Sequence, residues 1–125
     1  MNVVDSSGWL EYFADEKNSN FFAPIIENTS ELIVPVISIY EVFKKIISQR
    51  SENEGLYAVA LMKQGLVVDI DEYISLIAAK LSVKYKLPMA DSIILATAQK
   101  FQATLWTQDA DFKGIDDVEY KIKKY

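Results

Sequence analysis

Apolar positions along the chain follow two rhythms. Short apolar runs, NVV at 2–4, LVV at 66–68 and ATLW at 103–106, read as strands. They are apolar without alternation, as strands covered on both faces are. Longer stretches between them carry apolar residues at helical spacing. SSGWLEYFA places Trp9, Leu10 and Phe13 on one side, and NFFAPIIENT (20–29) is a second helix with Pro24 in its first turns. Ser38 to about Gln49 repeats the pattern through Ile39, Phe43, Ile46 and Ile47, and 53–64 forms another helix closed by Gly65. The clearest amphipathic helix spans 71–86, with Ile70, Ile74, Ile77, Leu81 and Tyr85 as its stripe. Pro88 then opens PMADSIILATAQKF, a helix so apolar that it belongs in the core. LIV (32–34) is ambiguous and is limited by Pro35, and VEYKI (118–122) predicts the last strand.

Short apolar strands alternating with helices predict an α/β fold: a central, mainly parallel sheet of four to five short strands flanked by helices. No repeat, low-complexity run or linker interrupts residues 1–125, which read as a single domain.

Composition narrows the chemistry. Half of the residues are apolar, enough for a real core. Cys and His are both absent. That excludes thiolate nucleophiles, imidazole bases and zinc sites built on either, and it suits the cytosol. The start, MNVVDSSGWL, lacks a basic region before an apolar one and predicts no signal peptide. The longest apolar stretches, such as SIILATA, are too short to span a bilayer. A net charge of −5 advertises no broad basic surface, so contact with nucleic acid would be local.

The remaining chemistry lies in acids. Each has an ordinary explanation. Asp5 can cap the helix after the first strand. Ser38 and Glu41 match a capping box. Asp91 suits the dipole at a helix start, and Asp109 and Asp111 in TQDADF favour a turn. Together they say more. In a parallel α/β sheet, ligands bind outside the carboxyl ends of the strands. Asp5 and Asp109 follow strands directly, while Glu41 and Asp91 lie at helix starts, which fall on the same edge. Clustered carboxylates repel unless a cation compensates them, and an oxygen-only set suits Mg²⁺ or Mn²⁺. Asp69, Asp71 and Glu72 read as caps, Asp116, Asp117 and Glu119 as a solvated loop, and Lys84 and Lys86 as surface residues. Lys44, Lys45 and Arg50 read as a solvated helix face able to hold a phosphate backbone.

Three blocks in this order, VVDSSGWLEYF, PVISIYEVFKKI and KLPMADSIILATAQKFQATLWTQDADF, resemble a PIN domain, and within that group a VapC-type toxin ribonuclease. The resemblance covers nearly the whole chain. It implies a three-layer fold and cleavage of single-stranded RNA with Mg²⁺ or Mn²⁺ held by acids. The family's acids fall on Asp5, Glu41, Asp91 and Asp109, with Asp111 secondary, and its small hydroxyl residues on Ser7 and Thr107. It also implies an antitoxin partner and a homodimer. One departure is the acidic overall charge, where the family often carries a more positive groove.

Two other classes compete. A catalytically silent interaction module would be expected to lack one of the acids, and none is missing. A phosphotransferase with an aspartate nucleophile needs a D-x-D motif after the first strand, yet Asp5 is followed by Ser6 and Ser7.

Overall fold

The computed structural model describes residues 1–125. Its strands are β1 (Asn2–Val4), β2 (Leu32–Pro35), β3 (Leu66–Val68), β4 (Thr104–Thr107) and β5 (Val118–Tyr120). They form one sheet in the order β3-β2-β1-β4-β5. Every neighbouring pair is parallel. Helices α1 (Ser6–Phe13), α2 (Ser19–Glu27), α3 (Val36–Gln49), α4 (Glu52–Met62), α5 (Glu72–Tyr85) and α6 (Met89–Lys100) connect them. No helix is long and apolar enough to cross a membrane.

Successive strand residues supply opposite faces of the sheet, because side chains alternate along a strand. Val3, Ile33 and Leu105 join a core with Ile74, Ala78, Ile94 and Leu95 from α5 and α6. Val4, Leu32 and Val34 join Trp9, Phe22, Val42 and Met62 from α1 to α4. The result is helix, sheet, helix in three layers. Each fully buried Val, Leu or Ile side chain contributes about 1.5–3 kcal/mol of transfer free energy.

Several boundaries move for identifiable reasons. LIVP is a strand, fully buried between β1 and β3. Pro35 ends it and opens α3 directly, at φ −61° and ψ 135°. The helix therefore starts at Val36, and Ser38 lies inside its first turn rather than capping it. The capping box does not form: Ser38 is buried and its Oγ has no partner. Helix α5 starts at Glu72 on the Asp71 cap, whose carboxylate accepts from Ile74 N at 2.8 Å. Ile70 thus precedes the helix and stays exposed, and the buried stripe is Ile74, Ala78 and Leu81. On α3, Val42 is buried while Ile47 is exposed. The last strand stops at Tyr120, and the Ile122 carbonyl turns away to accept from Asn18 Nδ2 at 3.0 Å.

Gly8 lets α1 lie against the sheet. A Cβ there would stand 2.7 Å from Val4 Cγ1 and 2.6 Å from the Phe22 ring, both in the core. Gly8→Val is expected to lower unfolding free energy by about 1–3 kcal/mol or more in urea titration, since overpacking outweighs the gain in helix propensity.

Candidate active site

Asp5 is placed by strand register. Val4 pairs with Trp106, so Asp5 meets Thr107 at the carboxyl tips of two adjacent parallel strands. Its N–H donates to the Trp106 carbonyl at 2.9 Å. The backbone is extended there, and the carboxylate caps α1 by accepting from Ser7 N at 3.3 Å. Ser7 Oγ donates to it at 2.6 Å and Thr107 Oγ1 at 3.0 Å. All three bonds fall on Oδ2, which leaves Oδ1 without a donor from the protein. Burial drives the Asp5 pKa up to about 6, with the hydrogen bonds opposing and the Asp109 charge adding to the rise.

Thr107 also accepts from Asp109 N at 2.9 Å, which ties the strand tip to the next acid. Asp109 caps the single 3₁₀ turn Ala110–Phe112, its Oδ1 accepting from Asp111 N at 2.9 Å. Phe112 is fully buried and pins that turn to the core. TQDADF is therefore a turn and an acidic corner at once. Asp91 arrives from the opposite layer, in the first turn of α6. One carboxylate oxygen from each of Asp91, Asp109 and Asp111 lies within 4.8 Å of the others. Burial, followed by the charges of Asp5, Asp109, Glu41 and Asp111, pushes the Asp91 pKa up to about 7.

Glu41 belongs to the same neighbourhood. Instead of reaching back to its own helix start, it accepts from Ser6 Oγ at 2.7 Å. The structure thus brings Asp5, Glu41, Asp91, Asp109 and Asp111 into one electrostatic neighbourhood, with Ser7 and Thr107 bonded to Asp5. The two lysines divide. Lys45 lines a groove of about 780 Å³ that also contains Ser7, Leu10, Phe13, Ile46, Tyr57 and Lys123. Lys44 is exposed and sits over the Tyr40 ring, outside the groove.

Two residues beside the acids escape a reading by motif. Glu11 is buried and accepts from Lys123 Nζ at 2.7 Å, Asn18 N at 2.8 Å and Gln108 Nε2 at 2.9 Å. Burial raises its pKa, but these bonds and the Lys123 charge outweigh that and hold it below the ordinary value. The available signal is an acid set among aromatic and aliphatic neighbours in WLEYF. Gln108, also buried, sits between Thr107 and Asp109.

Carboxylate oxygens alone suit a hard divalent cation. Around an octahedral ion with bonds of about 2.1 Å, ligand atoms stand about 3–4.2 Å apart. The trio's oxygens, within 4.8 Å of one another, lie near that spacing, so these residues fit such an ion.

Fold and site define a three-layer α/β protein with an acidic cluster at the carboxyl edge of a parallel sheet. The family model for the PIN domain matches residues 3–118, and the chain belongs to the PIN-domain family. A toxin–antitoxin complex from Klebsiella pneumoniae is similar at 24% identity and TM-score 0.78, covering 95% of this chain and 96% of that one. VapC20 of Mycobacterium tuberculosis, a toxin that cleaves the sarcin–ricin loop, matches at 13% identity and TM-score 0.76, over 93% and 95%. DNA-bound VapBC from Salmonella typhimurium matches at 14% identity and TM-score 0.75, over 97% and 96%. No curated protein sequence matches the chain.

The raised Asp91 pKa has a definite sign in stability. A carboxyl that is harder to ionise when folded stabilises the protein only while protonated. That contribution is full below pH about 4 and is lost as pH rises through about 7. In metal-free buffer, Asp91→Asn is expected to gain in melting temperature relative to the parent as pH rises across this window. Parallel melting curves against pH for the two proteins would remove Asp91 from the cluster.

Proposed function

We propose that this protein is a divalent-metal-dependent endoribonuclease cutting single-stranded RNA, and that it serves as the toxin of a toxin–antitoxin pair. The observation that carries the reading is the convergence of four acids on Asp91, with three carboxylate oxygens inside 4.8 Å. Capping accounts for Asp5 and Asp109 one at a time, but their gathering with Asp91, Glu41 and Asp111 at one strand edge costs stability through repulsion unless a cation offsets it.

Asp5, Asp91 and Asp109 would hold the ion, with Glu41 and Asp111 as secondary ligands. Bound there, Mg²⁺ or Mn²⁺ would lower the pKa of water and neutralise charge on a phosphoryl oxygen. The chain's own part is positional. Ser7 and Thr107 turn Asp5 so that Oδ1 faces away from their hydroxyls. Ser6 fixes Glu41 at the rim. Asp91, Glu41 and Asp109 are the groups placed to hold a proton taken from the attacking water. Lys45 stands in the groove beside the acids, where a phosphate of the RNA would pass.

The groove also suits the antitoxin partner. Leu10, Phe13, Ile46 and Ala58 give it an apolar floor, and Ser7 links it to the acids. The solved structures similar to this chain include the Klebsiella toxin–antitoxin complex and DNA-bound VapBC, which supports a partner of that kind. A homodimer belongs to the same reading. Tyr73, Leu76 and Val83 are exposed on α5, where a second copy would cover them.

Purified protein is expected to cut single-stranded RNA with Mg²⁺ or Mn²⁺ and to stop when EDTA is added. Cutting that survives rigorous chelation overturns the mechanism. Glu41→Gln should retain the parent's melting temperature to within a few degrees yet lose at least about tenfold in cleavage rate, the loss typical of a disturbed metal shell. Near-parental cleavage by this variant would take Glu41 out of the site.

A further inference from the structure

Glu11 contributes nothing to the acidic cluster, yet it is among the most completely buried charges in the molecule. It lies in α1, four residues after Ser7, so it shares that residue's helix face. Its three hydrogen bonds come from three separate parts of the chain: the loop before α2, the tip of β4, and Lys123 beyond β5. Lys123 is the one cationic partner, its side chain 38% exposed against 1% for Glu11.

Donor and acceptor directions run one way through this network. Asn18 Nδ2 donates to the Ile122 carbonyl at 3.0 Å and to Gln108 Oε1 at 3.0 Å. With its oxygen so occupied, Gln108 turns Nε2 toward Glu11 Oε1, 2.9 Å away, and toward the Ser7 carbonyl, 3.4 Å away. Gln108 N faces Ser7 Oγ at 3.5 Å, and Ser7 Oγ donates to Asp5 Oδ2. A carboxylate can only accept, so Glu11 fixes the orientation of the Gln108 amide. A Gln at position 11 would carry one oxygen and one NH₂. With the oxygen on Asn18 N, the NH₂ would face both Gln108 Nε2 and Lys123. Flipping the Gln108 amide would relieve that contact but set its NH₂ against Asn18 Nδ2. No arrangement of three amides satisfies every bond.

We propose that Glu11, held by Lys123 and acting through Gln108, is a positioning residue that sets Asp5 and Asp109 relative to each other. Gln108 is the residue between Thr107 and Asp109, so clamping it to α1 fixes the strand tip against the helix that Asp5 caps. This rests on the metal-dependent nuclease reading. The network supplies none of the acids that would hold the ion; it limits how far the β4 tip can drift from α1. Partners behind a metal's ligands commonly hold affinity or activity to within 10- to 100-fold.

The test measures Mn²⁺ affinity by electron paramagnetic resonance, without RNA, and cleavage rate at saturating Mn²⁺, on parent, Glu11→Gln, Gln108→Leu and Ile74→Val. Ile74 is fully buried near the start of α5. That helix start is tied to the far end of α6 by the Asp71–Lys100 pair at 3.0 Å. Ile74→Val therefore lowers stability away from the acids. Glu11→Gln is expected to weaken Mn²⁺ binding by roughly tenfold and to slow cleavage, while Ile74→Val, matched in lowered melting temperature, binds as the parent does. Should Glu11→Gln fail to fold, Gln108→Leu, which leaves the Glu11–Lys123 pair in place, must show the same loss. Parental Mn²⁺ affinity in the folded Glu11 or Gln108 variant overturns the positioning role while leaving the nuclease reading intact. A parent that binds no Mn²⁺ and cuts no RNA overturns both.

Discussion

The parallel pairing of β1 with β4 is the constraint on which the acidic edge depends. With Val4 opposite Trp106, Asp5 and Thr107 leave the sheet at the same level. One residue of slip would turn each side chain to the other face of its strand. Burial on both faces opposes such a slip: Val3 and Leu105 fill one layer, and Val4 fills the other. The hydrophobic core thus sets the position of the carboxylates to within a hydrogen bond, which the acids, repelling one another, could not do alone.

Asp5 and Asp91 are both pushed toward neutral pH, chiefly by burial, with the neighbouring acids adding to the rise. The two arrive from different layers, Asp5 from the strand tip and Asp91 from the first turn of α6. Their approach requires the layers to close over the sheet edge. A net charge of −5 adds a wider cost for any polyanion that approaches. Lys45, which lines the groove, is a positive charge next to that edge, whereas Lys123 in the same groove is paired with Glu11. Contact with any polyanion would therefore be narrow and sensitive to salt.

Local pattern carried much of this fold. The apolar runs at 2–4, 66–68 and 103–106 are strands, and the buried character of α6 follows from its composition. Asp71 caps where a cap was expected. Glu41 shows where local pattern misleads. SIYE has the spacing of a capping box, but Pro35 takes the cap position three residues earlier, so Ser38 is carried into the core and Glu41 is left to Ser6. A box motif specifies bonds only if the helix starts at its first residue, and a proline at a strand end can move that start.

The sequence by itself determined the element types other than that of LIV, the oxygen-only chemistry, and acids at strand tips and helix starts. Each of these depends on neighbours a few residues away, through side-chain periodicity and backbone preference. Tertiary structure alone decided which distant groups meet. Ser6 reaches Glu41 across 35 residues, and Lys123 reaches Glu11 across 112. The central place of LIVP, between β1 and β3, was equally beyond local reading. Strand order and register are fixed by how all layers bury their apolar faces together, and no single segment carries that information.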